Sequence, residues 1–286
     1  MRFALNVPNF GEYGDARVVA EPLAELLAEP AREAEESGWD GFFPRDHIAW
    51  EGAAHYADPW ISHSAIAVET SSIRIGPMVT PLPRRRPWKV AHEAATLDRL
   101  SGGRLILGVG LGGREREFDY FGEEPDPKRR AEMLDEGLEI LTKVWGAEPV
   151  THRGAHYETT EARLTPPPAQ RPRIPIWIAG TWPRKRPFLR SLRWDGYAPV
   201  GSAGSPLTPE DVREMRRLAS EQRADDEPFD IRISGSSNGE SPEKARRKVA
   251  RFAEAGATWW DETLAPSGMS LGEARDRVRL GPPDVG

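Results

Sequence analysis

The chain of 286 residues contains no cysteine. That absence excludes disulfides, thiolate nucleophiles and the common cysteine-ligated zinc sites. Any redox chemistry must come from a borrowed cofactor. Long apolar runs are missing too, and none approaches the roughly 20 residues of a membrane-spanning helix. Met1-Arg2-Phe3 runs into Asn6 and Pro8 rather than into the apolar core of a secretion signal, so the cytoplasm is the expected location. Nor is there an excess of positive charge: 39 Lys and Arg stand against 45 Asp and Glu, a formal net charge of −6. That balance argues against general binding to nucleic acid or to an anionic membrane.

What is present is an alternation of strand-like and helix-like segments around one stretch, Leu97 to Gly113, reading LDRLSGGRLILGVGLGG. Leu97 and Leu100 close an apolar helical stripe, and Ser101-Gly102-Gly103 stops it. Leu105 to Val109 is a continuous apolar run suited to a parallel strand covered on both faces. Beyond it, Gly110, Gly112 and Gly113 leave backbone without Cβ atoms at the strand's carboxyl end, where a flat or phosphorylated ligand can approach closely.

Upstream, Phe3 to Val7 reads as a strand, and Pro22 to Ser37 as a helix with Leu23, Leu26, Leu27, Ala31 and Ala34 at helical spacing. Pro30 predicts a kink or restart within it. Trp39 to Pro44 is a second strand, and Asp58-Pro59 caps a helix carrying Ile61, Ala65 and Val68 on one side. Ile73 to Val79 is the third strand, and Pro87 opens a helix with Val90, Ala94 and Leu97 facing inward. Downstream, Asp126-Pro127 starts the longest helix, with Leu134, Leu138, Leu141 and Trp145 along one face. Glu148 to Arg173, with Pro166-Pro167-Pro168 and no helical period, is an excursion of short strands and loop after this fourth helix. Strands at Ile174 to Ala179, Gly196 to Val200, Phe229 to Ser234 and Ala257 to Thr263 follow. Helices starting near Arg184, Thr208, Ser241 and Ser270 separate or follow them. The class is therefore α/β: a single (β/α)8 TIM barrel, one domain over residues 1–286, with an insertion at 148–173. Such barrels carry their sites at the strand carboxyl ends.

Strand two ends in Pro44-Arg45-Asp46-His47, strand three in Gly76-Pro77-Met78-Val79, strand four in Gly108 to Gly113 and strand five in Ala179-Gly180-Thr181-Trp182. Gly108, Gly110 and Gly113 satisfy the GxGxxG dinucleotide pattern, but they lie on the fourth strand and precede charged Arg114-Glu115-Arg116-Glu117 rather than a crossover helix. The motif alone carries little weight.

Leu97-Asp98-Arg99-Leu100-Ser101-Gly102-Gly103-Arg104, continuing through Gly108-Val109-Gly110, resembles the bacterial luciferase-like flavin-dependent oxidoreductases. Gly38-Trp39-Asp40-Gly41, Asp46-His47, Asp58-Pro59, Arg74-Ile75-Gly76, Pro87 and Trp194-Asp195-Gly196 extend the resemblance over nearly the whole chain. The resemblance implies a (β/α)8 barrel, FMN or the deazaflavin coenzyme F420 as cofactor, and often a homodimer. It also implies either hydride-transfer dehydrogenases and reductases or monooxygenases fed with reduced flavin by a partner reductase.

In similar deazaflavin enzymes an Asp-His pair ends strand two with the histidine beside the reactive ring. Asp46-His47 matches, which makes His47 the catalytic candidate, Asp46 a cofactor contact, and F420 the favoured cofactor. An imidazole titrates near neutrality and can take or give a proton as hydride moves. The same histidine also reads as a loop cap. Similar proteins carry a non-prolyl cis peptide at the end of strand three that presses on the flavin ring; the matching bond joins Met78 and Val79. An ordinary strand end shaped by Pro77 is the competing reading. Gly110 and Gly112, with Ala179, Gly180 and Thr181, are expected cofactor neighbours, and Arg184, Lys185 and Arg186 suit a phosphate or acidic tail. A solvated basic turn reads as well there.

Arg84-Arg85-Arg86 is assigned to the rim or an interface. Trp50, Trp60, Trp182, Trp259 and Trp260 either line a substrate pocket or pack helices on strands. His63 and His92 read as packing or surface residues, and His152 and His156 lie in an irregular tract, so no metal is expected. Sugar-phosphate dehydrogenases of the family carry an acid where this chain has Gly113, with Glu115 and Glu117 out of step, which counts against a glucose-6-phosphate-type substrate. Three functions fit: F420-dependent hydride transfer to or from a small organic substrate, an FMN-dependent monooxygenase, and a non-catalytic flavin-binding protein.

Overall fold

The computed structural model describes residues 1–9, 27–49, 56–113, 116–202, 205–223, 227–264 and 270–284. Trp50, Glu115 and the first half of the Pro22 to Ser37 helix lie outside them. In chain order the elements are β1 (Arg2–Val7), α1 (Glu29–Glu36), β2 (Gly41–Pro44), α2 (Pro59–Glu69), β3 (Arg74–Ile75), β4 (Thr80–Pro81) and α3 (Pro87–Leu100). Next come β5 (Leu107–Gly110), α4 (Arg116–Asp119), α5 (Pro127–Val144), β6 (Val150–Arg153), β7 (Glu158–Ala162), β8 (Ile176–Thr181) and α6 (Lys185–Ser191). The chain continues through β9 (Gly196–Val200), α7 (Pro209–Gln222), β10 (Asp230–Gly235), α8 (Pro242–Glu254), β11 (Trp259–Thr263) and α9 (Leu271–Arg279).

Local chemistry starts these helices where the sequence predicts. The Asp58 carboxylate accepts from the Trp60 and Ile61 N–H groups, and Asp126 from Lys128. Thr208 with Asp211, and Ser270 with Glu273, form reciprocal capping boxes. Pro30 sits in the first turn of α1, where a restart puts it.

Among the described residues nine strands form one curled sheet in the order β3-β2-β1-β11-β10-β9-β8-β5-β4, and every paired neighbour is parallel. The strand expected over Ile73 to Val79 is ladder-paired only at β3, and pairing resumes just past its expected end at β4. Gly76, at φ +155°, has no room for a side chain, because a Cβ there would lie 1.8 Å from the Ile106 carbonyl oxygen. The Met78–Val79 peptide that follows is cis. Across the break a parallel bridge joins Ile75 to Leu105, and the Met78 N–H donates to the Pro44 carbonyl at 2.9 Å.

The apolar side of α2 also differs from a simple inward stripe. Ile61 and Val68 are 59% and 64% exposed, while Trp60, His63, Ile66 and Ala67 are buried. Burial holds the His63 pKa below its ordinary value, although its hydrogen bonds to the Pro59 and Gly76 backbone oppose this. The 148–173 excursion contains the antiparallel hairpin β6–β7, held to α5 by Glu136, which accepts from the His156 and Tyr157 N–H groups and pairs with His152.

The core has two parts. Phe3, Leu5, Val7, Leu107, Val109 and Ile178 meet the helices. On the other side of the sheet, Ala4, Phe43, Met78, Ile106, Trp177, Ala198 and Trp259 fill the inside of the curl. Fully burying each such large side chain contributes about 1.5–3 kcal/mol. No helix among the described residues is long and apolar enough to cross a membrane.

Candidate active site

The Arg45 N–H still donates to Val7 at 3.0 Å, so side chains keep alternating past the end of β2. Asp46 turns outward and is fully enclosed. Its carboxylate accepts from Thr80 Oγ1 at 2.8 Å, Arg84 Nη2 at 2.7 Å and Arg85 Nη2 at 2.9 Å. Two of the three guanidiniums expected at the rim or an interface, Arg84 and Arg85, are thus bound to Asp46, whose oxygens are spent on protein donors.

His47 turns the other way, and its Nδ1 lies 3.1 Å from Glu117 Oε1. The same oxygen accepts from the Ile48 N–H at 2.8 Å and the Ala49 N–H at 3.2 Å, while Oε2 lies 3.1 Å from Arg84 Nη1. Glu117 is 1% exposed. Burial pushes its pKa up, but the His47 hydrogen bond and charge, the Ile48 N–H and Arg84 outweigh that and hold it below the usual carboxylate value. A carboxylate on Nδ1 sets the tautomer with the lone pair on Nε2, the arrangement of an oriented general base. Asn9 fixes the backbone, donating to the His47 carbonyl at 2.8 Å. Sequence reasoning missed Glu117 and Arg84 as members of this network. Inside Arg114-Glu115-Arg116-Glu117 the acid looks solvated, and no local signal links it to a histidine 70 residues away.

The glycine-rich exit of β5 fits around the break between β3 and β4. A Cβ on Gly108 would stand 2.4 Å from the Pro77 oxygen and 2.8 Å from Met78 Sδ; one on Gly110 would be 3.2 Å from Val79. At Gly112, φ is +77° and the space is taken by Phe118, 2.6 Å from an added Cβ. Nothing lies within 4 Å of a Cβ on Gly113, the open position of the four.

At the end of β8, Ala179, Gly180 and Thr181 are half-buried, and Arg184, Lys185 and Arg186 beyond them are exposed. None of these three cations forms an ion pair among the described residues. The described tryptophans pack rather than open outward: Trp60, Trp182, Trp259 and Trp260 are all buried, and Trp182 donates to Asp211 at 2.8 Å. His152 and His156 pair with Glu136 and Glu132.

A family model described as luciferase-like monooxygenase matches residues 1–280. The chain belongs to the luciferase-like monooxygenase family. It is 36% identical over 163 residues, 55% of its length, to an F420-dependent glucose-6-phosphate dehydrogenase of Amycolatopsis mediterranei, covering 48% of that protein. The chain spans about half the length of the curated relatives it matches first. The fold is shared with a monooxygenase of Streptomyces bottropensis, at 22% identity and a TM-score of 0.79 over 98% of this chain and 97% of that one. It is shared equally with an F420-dependent secondary alcohol dehydrogenase, at 18% identity and a TM-score of 0.76 over 100% and 99% of the two chains. Proteins of this same fold thus include a monooxygenase and an F420-dependent alcohol dehydrogenase.

Proposed function

We propose that the chain is an oxidoreductase that uses F420 to transfer hydride to or from a small organic substrate, with His47 moving the accompanying proton. The observation that carries this reading is the oriented His47–Glu117 pair at a strand carboxyl end. The F420-dependent dehydrogenases among its relatives support the cofactor. The residues fit such a group in two places. Gly108 and Gly110 leave room for the Met78–Val79 bulge to press toward the mouth, as the resemblance implies for the ring. Thr181, Arg184 and Lys185, with Ala179 and Gly180, offer donors and positive charge to a phosphate or acidic tail. Gly112 is built around Phe118 and serves the loop that carries Glu117.

Bound there, F420 supplies two-electron hydride chemistry, which no side chain offers. The chain's part is to orient the imidazole, hold a proton at Nε2 and present it to the reacting centre. An FMN-dependent monooxygenase with a partner reductase is the second reading, favoured by the monooxygenase of the same fold.

We further read β3 and β4 as one strand broken at the bulge, so that the curled sheet is an eight-stranded (β/α)8 barrel, a single domain with β6–β7 as its insertion. The Ile75–Leu105 bridge and the Met78–Pro44 hydrogen bond support this. A cytoplasmic homodimer completes the proposal.

The test is a fluorescence titration of the purified chain with F420 and with FMN, followed by turnover of wild type and His47→Ala. Tight F420 binding with turnover reduced about 100-fold or more in His47→Ala is expected. Tight binding of FMN alone favours the monooxygenase. Unchanged turnover in His47→Ala removes the role of His47, and binding without turnover in either form favours a non-catalytic flavin-binding protein.

A further inference from the structure

A buried histidine that the proposed proton transfer does not use sits behind the break between β3 and β4. His63, on α2, is 0% exposed. Its Nδ1 lies 2.5 Å from the Pro59 carbonyl oxygen. A carbonyl only accepts, so Nδ1 carries a proton and the neutral ring keeps its lone pair on Nε2. The Gly76 backbone is the ring's second hydrogen-bonding neighbour and favours its charged form. Without that charge Nε2 completes no hydrogen bond, although it is fully enclosed. A buried polar atom left without a partner calls for a physical reason.

The charged groups acting on the ring are Asp46, just past the end of β2, and Asp58, the cap of its own helix. Both favour the imidazolium. Asp46 is itself held by Arg84 and Arg85, and Asp58 by the Trp60 and Ile61 N–H groups. Burial prevails and holds the His63 pKa below its ordinary 6.5, so the ring is neutral at pH 7 and takes its second proton on acidification.

Gly76 gives that proton a consequence. From it the chain runs to Val79, with the Pro77 oxygen and the Val79 side chain lying against Gly108 and Gly110 at the exit of β5. His63 is on the helix side of the sheet with Trp60, Ile66 and Ala67, whereas Met78 packs inside the curl. A new bond from the ring to Gly76 therefore pulls outward.

We propose that His63 is a positioning residue for the Gly76 to Val79 segment: on taking up a proton it donates from Nε2 to the Gly76 carbonyl and draws the segment away from the cofactor. This rests on the reading of Met78 and Val79 as a wall of the cofactor pocket. Acidification then weakens cofactor binding through a residue that never touches the cofactor.

Nitrogen NMR of the purified chain, with His63→Gln and His63→Phe as variants, follows the proton. In wild type we expect Nδ1–H with a bare Nε2 at pH 7.5 and protonation of Nε2 below pH 6.5. The Met78 amide, which donates to the Pro44 carbonyl, should shift along the same curve and stay still in both variants. Fluorescence titration with F420 and with FMN at pH 7.5 and pH 5.5 follows the consequence. Affinity for the cofactor that binds should fall about threefold or more further in wild type than in either variant. His47 is present in all three proteins, so its own titration cancels. Three results overturn the proposal: a proton on Nε2 at pH 7.5, a Met78 amide that ignores the His63 titration, or a pH dependence of cofactor affinity shared by wild type and variants. If neither cofactor binds wild type, the functional reading fails, and the hold of His63 on the segment is decided by the Met78 signal. If neither variant folds, coincidence of the His63 and Met78 curves in wild type decides it.

Discussion

At the scale of single residues, the site depends on one buried carboxylate. Glu117 touches no solvent, accepts from His47, Ile48 and Ala49, and faces Arg84. Removing its charge while keeping its shape, Glu117→Gln, leaves the imidazole free to turn and Arg84 without one of its two anions. Turnover should fall about 10- to 100-fold, less than on losing His47 itself, because an orienting partner is lost and the proton carrier is not. KM should stay nearly constant, and Glu117→Asp should recover part of the rate. A fall in stability with unchanged kcat would make Glu117 structural only. His47 was visible because Asp46-His47 at a strand end matches the pair that the family resemblance implies. Glu117 was not visible, because its pairing is made by the fold across 70 residues. Asp46 shows the converse: the resemblance marked it as a cofactor contact, and the structure surrounds it with Thr80, Arg84 and Arg85.

At the scale of elements, the readable features were those with local causes. Asp58, Asp126, Thr208, Ser241 and Ser270 each cap the helix they were expected to start. What depended on distant packing was missed. The break between β3 and β4 is dictated by the Ile106 backbone against Gly76, and the outer face of α2 is apolar where periodicity alone gives no direction. A second such cause is Glu35 on α1, which accepts from the Ser71, Ser72 and Ile73 N–H groups and so fastens the turn that leads from α2 into β3. Burial raises its pKa, but these hydrogen bonds prevail and carry it down to about 2. A carboxyl depressed on folding contributes stability that is present above its unfolded value, near 4.5, and lost as pH falls toward 2. Glu35→Gln should therefore cost about 1–3 kcal/mol at pH 7 in urea unfolding, with the difference from wild type shrinking between pH 4.5 and pH 2. A difference independent of pH would assign the loss to packing.

At the scale of the whole molecule, the same curl of strands explains both where chemistry is expected and where it is not. Its carboxyl end carries His47, the break at Met78–Val79 and the half-buried end of β8, while Phe43, Trp177 and Trp259 pack inside it. On α2 the large apolar residues Ile61 and Val68 point to solvent, although Trp60 and Ile66 already serve the core. Exposing two branched apolar side chains on one helical face, two turns apart, brings no benefit to a lone chain and favours burial against a partner. The homodimer implied by the family resemblance would supply one: in a two-fold interface each residue faces its own kind or a near neighbour, so a single substitution acts twice. Sedimentation velocity should therefore find a dimer for wild type. Ile61→Lys and Val68→Glu should each shift it to monomer, because two like charges would be placed in a shared apolar contact. Cofactor affinity should be retained, since both side chains point to solvent rather than into the curl. A monomeric wild type would leave the apolar face of α2 without the role argued for it, and a dimer unaffected by both substitutions would put the interface elsewhere.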